Sequence, residues 1–185
     1  MDGYYLNECL CCGSTSTESV IDLGYQPPAN SFLELGAPLS KAYPLALNVC
    51  TSCWHSQLNF VINRQTLFND YLYVSGTSQT LSSYFEWFAS ALRIATASGS
   101  KVLDIAANDG SLVACLRKQG LDAEGIDPAE NVVSKAMKEG LPLHVGYWPD
   151  AENKFSTMFD AITCLNVLAH VDRPLEFLEA CERKL

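Results

Sequence analysis

Short apolar–polar alternations over residues 1–64 give way to helical spacing over 65–98, and then to strands separated by helices from 101 onward. In the first stretch, Ser19-Val-Ile-Asp-Leu23, Pro44-Leu-Ala-Leu-Asn-Val49 and Gln57-Leu-Asn-Phe-Val-Ile62 read as strands. Gly24-Tyr-Gln-Pro-Pro-Ala-Asn30 reads as a loop held open by two prolines. In the second stretch Leu81, Tyr84, Phe85, Phe88 and Leu92 recur at three- and four-residue intervals, which predicts a helix with Thr77 or Ser78 as its cap. Ala97-Ser-Gly-Ser100 is the clearest boundary.

Beyond that boundary the pattern alternates. Lys101 to Ala106 is a buried strand, and Ser111 to Gln119 is a helix stopped by Gly120. Ala123 to Asp127 is a second strand. Pro128 is expected in the first turn of a helix that Gly140 ends. Pro142 to Gly146 and Phe159 to Leu165 are the third and fourth strands, and Pro174 opens a last helix through Lys184. Such alternation predicts an α/β fold with a parallel sheet and right-handed crossovers. The domain division expected is a β-rich lobe over 1–64, a helical connector over 65–98, and a partial Rossmann-like sheet over 99–185.

Composition narrows the class. Of 185 residues, 48% are hydrophobic and 18% charged, so a packed core is expected rather than disorder. No apolar run reaches the roughly 18 residues of a membrane span. The start, Met1-Asp-Gly-Tyr-Tyr, shows neither the basic nor the apolar segment of a secretory signal, which favours the cytoplasm. In a reducing compartment the eight cysteines are thiols or metal ligands more often than disulfides. The net charge of −9 repels phosphate backbones and anionic lipid, making nucleic acid and membranes poor partners.

Two close cysteine pairs stand in the first lobe, Cys9-Leu-Cys-Cys12 and Cys50-Thr-Ser-Cys53. Each spacing lets both sulfurs turn toward one ion, and two such knuckles make a tetrahedral Zn²⁺ site. Cys11 is the odd thiol, expected to point away. Four sulfurs close the coordination shell, so the zinc is structural, a staple for a lobe too short and loop-rich to build a strong core. A redox cysteine pair, or unliganded thiols, is the alternative.

The loop after the first strand of the sheet is Asp104-Ile-Ala-Ala-Asn-Asp-Gly110. Dinucleotide loops need glycines where backbone amides approach a pyrophosphate. Here Ala106, Asn108 and Ser111 replace all three, and Asp104 and Asp109 would repel a pyrophosphate. S-adenosylmethionine carries a sulfonium and an ammonium instead of phosphate, and acidic flanks suit those cations. Asp127, at the end of the second strand, is placed for ribose hydroxyls. The alternative is that these acids merely cap helices.

The order of motifs is specific in combination. Cys9-x-x-Cys12-Gly precedes Asp22-Leu-Gly-x-Gln-Pro-x-Ala-Asn-Ser-Phe32, then Cys50-x-x-Cys53, then Asp70-Tyr-x-Tyr-x-Ser-Gly-Thr-Ser78. Asp104-Ile-Ala-x-Asn-Asp-Gly-Ser111, Gly125-Ile-Asp-Pro-Ala129 and Asn166-Val-Leu-Ala-His170 follow. This series resembles the zinc-domain C-methyltransferases that act on nucleotide-linked keto-deoxysugars, over nearly the whole chain. The resemblance implies a class I methyltransferase fold and methyl transfer from S-adenosylmethionine to a sugar carbon beside a ketone, after a base has removed the acidic proton there. It assigns Asp104, Ala106, Asn108, Asp109, Gly110, Asp127, Pro128 and Asn166 to the cofactor, and Tyr73 and His170 to the sugar.

Two departures from the family pattern follow. Ala106 stands where many relatives have glycine, and a methyl group is expected to fit a loop that holds no phosphate. The family's Glu-His pair, which includes the base, falls after a fifth strand, and the sequence to Leu185 covers four. The chain is therefore expected to be the N-terminal part of such an enzyme, or to take the rest from a partner, and to be inactive alone, with His170 positioning substrate. A methyltransferase of another small molecule, or a zinc- and cofactor-binding module without catalysis, are the rivals.

Overall fold

The computed structural model describes residues 2–29, 33–69 and 74–185. They divide into two units, Met1–Phe68 with Asp172–Leu175, and Asn69–Val171 with Glu176–Leu185.

The first unit contains β1 (Gly3–Tyr5), β2 (Thr17–Gln26), β3 (Tyr43–Cys50), β4 (Ser56–Leu58), β5 (Phe60–Ile62) and the short helix α1 (Arg64–Phe68). Strands β2, β3 and β4 form one antiparallel sheet, and β1 pairs antiparallel with β5. The expected strand over 57–62 is therefore two strands that serve different sheets. The switch is at Asn59, whose amide bonds to Ala46 and whose carbonyl accepts from Leu6. The expected loop from Gly24 also starts later, because β2 continues to Gln26. Register shifts between Ser19 and Ile21 and between Asp22 and Tyr25 absorb the irregular residues.

The expected helix over 65–98 is interrupted. After α1 comes a 3₁₀ turn, Ser75–Thr77, and then α2 (Gln79–Ala95). Ser78 rather than Thr77 caps α2: its hydroxyl accepts from the Leu81 amide at 3.3 Å, while the Thr77 hydroxyl donates back to Val74.

The second unit continues with β6 (Lys101–Ile105), α3 (Ser111–Lys118), β7 (Asp122–Asp127), α4 (Glu130–Lys138), β8 (Leu143–Val145), β9 (Ala161–Thr163) and, from Glu176 onward, α5 (Pro174–Glu182). The four strands are parallel in the order β8-β7-β6-β9. Alternation along the strands feeds two cores. Val102, Ala123 and Leu143 pack with Phe85, Ala89, Val113, Leu116 and Val133 of the helices on one side. Leu103, Ile105 and Ile126 pack with Trp148, Phe155, Phe159 and Phe177 on the other.

Pro128 is not in the first turn of α4. Ala129 is the cap and Glu130 the first helical residue. The Asp127 carboxylate accepts from the Ala129 amide at 2.8 Å, making a turn that delays the helix. Among the described residues no helix is long and apolar enough to cross a membrane.

Candidate cofactor and metal sites

The zinc candidate is built from two turns. Cys9–Gly13 and Cys50–Trp54 are each closed by a backbone bond, Gly13 N to Cys9 O and Trp54 N to Cys50 O, both 2.9 Å. The sulfurs of Cys9 and Cys53 are 3.6 Å apart and those of Cys12 and Cys50 3.7 Å. All four lie within 4.8 Å of one another. A tetrahedral Zn²⁺ with bonds of about 2.3 Å needs sulfurs about 3.8 Å apart, so the four cysteines fit the ion. Cys9 and Cys50 are buried and Cys12 and Cys53 face solvent. Cys11 has an exposed thiol and gives only its amide to the Cys9 sulfur, at 3.4 Å.

Ionisation agrees with that fit. Burial alone would raise the Cys50 thiol, but the Cys53 and Ser52 amides and the neighbouring sulfurs hold it down at about 6. Cys53 has the His55 amide in its favour, yet burial and the other three sulfurs push it up to about 12. A divalent cation among them is what lets all four ionise together. A buried residue that sequence reasoning passed over also supports the knuckle. Gln57 accepts from the Leu10 amide and donates to the Glu8 carbonyl, each at 2.9 Å. Only its place on an otherwise alternating strand hinted at this.

The cofactor candidate lies at the carboxyl ends of β6 and β7, where parallel sheets bind ligands. Asp104 is buried on β6, opposite Thr163 of β9 in register, and the Thr163 hydroxyl donates to its carboxylate at 2.7 Å. Burial pushes the Asp104 carboxyl up to about 7 against that hydroxyl, and Asp127 adds to the rise. Asp127 is also buried and its pKa raised by burial, against the amides of Ala129 and Asn108. The Asn108 amide reaches Asp127 Oδ2 at 2.9 Å.

The loop between them turns sharply. Ala106, Asn108 and Gly110 all have positive φ, at 59°, 51° and 74°. Glycine and asparagine adopt this region readily, while alanine is strained there. The Ala106 departure therefore bears on backbone conformation as well. Gly125, paired with Asp104 in the sheet, meets a second constraint: a side chain there would come within 2.6 Å of Ala107 Cβ.

Asp109 is engaged by backbone amides. Its carboxylate accepts from Ser111 N at 3.1 Å and from Gly76 N at 2.8 Å. Pro128 follows Asp127 and is half-buried. Asn166, also at positive φ, and His170, in an exposed 3₁₀ turn, follow β9 on a separate loop at the same end of the sheet. Tyr73 lies outside the described residues. Sequence reasoning missed Thr163, and it quoted Ser75 and Gly76 only within the Asp70–Ser78 motif without a role for their amides, since a cross-strand hydroxyl and two backbone amides leave no local signature.

A family model described as "Methyltransferase domain" matches residues 81–185. The chain belongs to this methyltransferase family. Its β8-β7-β6-β9 order is that of the class I methyltransferase sheet, and a second model, described as "Putative zinc binding domain", matches residues 9–68 of the methyltransferase chain. The chain is 29% identical over 157 residues to C-methyltransferase NovU of Streptomyces niveus, covering 82% of this chain and 37% of that protein. It is 34% identical over 94 residues to the ubiquinone biosynthesis O-methyltransferase of Xylella fastidiosa (strain 9a5c), covering 48% of this chain and 38% of that one. The methyltransferase chain thus spans well under half the length of these curated relatives. Among solved structures it is similar to the magnesium protoporphyrin IX methyltransferase of Synechocystis PCC 6803, at 17% identity and a TM-score of 0.46, over 56% of this chain and 53% of that one.

Proposed function

We propose that this chain is the N-terminal part of an S-adenosylmethionine-dependent C-methyltransferase that acts on a nucleotide-linked keto-deoxysugar. The observation that carries the reading is the pair of buried carboxylates, Asp104 and Asp127, flanking a loop without the glycine triplet of dinucleotide sites. The similarity to a protein named as a C-methyltransferase, which runs across both units, supports the carbon acceptor. In this reading residues 1–64 are the zinc lobe, 65–98 the connector and 99–185 the cofactor half. Cys9, Cys12, Cys50 and Cys53 hold a structural zinc.

When bound, the cofactor supplies an electrophilic methyl group on a sulfonium. Asp127 receives the ribose hydroxyls on lone pairs left by its two backbone amides. Asp104 supplies negative charge toward the cationic end, with Asn108, Gly110, Pro128 and Asn166 lining the pocket and Asp109 bracing the loop. A cation beside Asp104 stabilises its carboxylate form, so affinity rises as pH rises through about 7. His170, exposed at the carboxyl edge, orients the sugar together with Tyr73. A reducing cytoplasm suits the free thiols.

Titration calorimetry tests the reading with S-adenosylhomocysteine and NAD. The former binds tighter, and Asp127→Ala weakens it by about 1–3 kcal/mol, the scale of lost hydrogen bonds to a charged group. Tighter binding of NAD overturns the assignment.

A further inference from the structure

The 3₁₀ turn Ser75–Thr77 meets the cofactor loop through the loop's own polar side chains. The Ser75 amide donates to Asn108 Oδ1 at 3.0 Å, and the Gly76 amide donates to Asp109 Oδ2 at 2.8 Å. Asn108 then passes the connection on, because its backbone amide donates to Asp127 Oδ2 at 2.9 Å. The far oxygen of Asp127 is held by Ala129 N at 2.8 Å. One continuous set of bonds therefore runs from Ser75 through Asn108 to Asp127 and the start of α4.

The contact is close enough to dictate a residue. A side chain on Gly76 would stand 2.6 Å from Asp109 Oδ2 and 2.7 Å from Ser111 Oγ, so even alanine would displace one of them. Asn108 is at φ 51°, a conformation asparagine tolerates because its amide can bond locally. Here one partner of that amide group is the turn. Without Ser75 N, the Asn108 side chain would lose one of its bonds, and with it a brace on the left-handed backbone whose N–H reaches Asp127. A carboxylate that must meet two adjacent hydroxyls loses affinity when its orientation is free.

We propose that the turn Ser75–Thr77 is a positioning element of the cofactor site: Ser75, through Asn108, sets the orientation of the Asp127 carboxylate, and Gly76 is the residue that permits the approach. This rests on the reading of Asp127 as the ribose-binding acid. It also explains why a Ser-Gly-Thr stretch about 30 residues upstream of the loop belongs to the same site as the loop itself.

The test breaks the bond from the turn to the loop. Val74 is extended, at φ −120° and ψ 118°, the conformation favoured before proline, and Ser75 is the first residue of the turn, so Ser75→Pro keeps the turn's backbone while it deletes the N–H and sets the ring against Asn108 Oδ1, which must leave the turn. Titration of S-adenosylhomocysteine is run on the wild type, Ser75→Pro, Asp127→Ala and the double variant. Ser75→Pro is expected to weaken binding about tenfold in the wild-type background. In the Asp127→Ala background it is expected to cost less than about twofold, because the two act as one unit. Equal losses in both backgrounds, or none in either, overturn the proposal. If Ser75→Pro does not fold, Gly76→Ala takes its place in the same cycle with the same expectations. A wild-type protein that does not bind S-adenosylhomocysteine refutes the cofactor reading and this proposal with it. Binding that is lost in Asp127→Ala but indifferent to the turn refutes this proposal alone.

Discussion

The two units solve the stability problem in opposite ways. Among the described residues of the first unit, the buried apolar side chains are Cys9, Tyr43, Ala46 and Cys50, and two of these are metal-ligand candidates. Its long strand β2 leaves Val20, Ile21, Leu23 and Tyr25 more than half exposed. The second unit instead buries both faces of its sheet, with Val102, Leu103, Val113, Leu116, Ile126, Val133 and Phe177 sealed from solvent. Apolar burial contributes about 25 cal/mol per Å² in such cores. A unit with so little of it needs another source, and a structural zinc can supply it, with apparent binding energies of about 10–16 kcal/mol in small zinc domains. The contrast also separates labour. The first unit keeps its buried Gln57 for structure, whereas four of the five buried polar residues described in the second, Asp104, Asn108, Asp127 and Thr163, lie at the candidate site, Ser100 being the fifth.

The strongest way to break this comparison is Cys50→Ser. It removes a buried ligand, and metal binding here is folding. The expected outcome is loss of nearly all bound zinc, by elemental analysis, with rapid proteolysis confined to residues 2–68 and an unchanged melting transition for the second unit. Retention of a full equivalent of zinc, or simultaneous collapse of both units, would show that the first unit does not depend on its metal in the way described.

A second, smaller effect concerns the buried Asp104 of the second unit. The Asp104 carboxyl is raised to about 7 in the folded state, above its unfolded value near 3.8. Folding therefore favours the protonated form. That contribution is fully present below about pH 3.8, declines between 3.8 and 7, and is lost above 7. Asp104→Asn keeps an acceptor for the Thr163 hydroxyl without the charge. It should raise the stability of the second unit at pH 8 by up to about 4 kcal/mol and leave it nearly unchanged at pH 4. Denaturant melts at the two pH values measure this. The same variant should weaken S-adenosylhomocysteine binding, so stability and affinity move in opposite directions.

The smallest effect sharpens the boundary between the units. Ser78→Ala removes the side-chain cap of α2, at an expected cost of about 1 kcal/mol to the second unit. The zinc content of the first should not change. A loss of zinc in this variant would tie the two units together energetically.

Much of this was legible along the chain because it is periodic or local. The alternation after Lys101 predicted the four parallel strands within a residue or two of their ends. Two Cys-x-x-Cys spacings predicted a four-sulfur cluster that needs no long-range information beyond the meeting of two turns. Asp104 and Asp127 were marked by their positions at strand ends, and a strand end in a parallel sheet is already an address for a ligand.

What the pattern could not carry were the contacts made across elements and the conformations set by them. Residues 57–62 look like one strand, yet Asn59 divides them between two sheets, because Ala46 and Leu6 claim its backbone from either side. Ala106 read only as a question of room for a methyl group, and its left-handed backbone conformation was not visible. Thr163 opposite Asp104, and the Ser75 and Gly76 amides on Asn108 and Asp109, depend on strand register and on a turn meeting a loop about 30 residues later. Hydrophobic period and ligand spacing are properties of neighbours in sequence, so the sequence by itself determined the class of fold, the metal set and the acids of the loop. Register, backbone sign and the partners of single amides are properties of neighbours in space, and only the tertiary structure decided those.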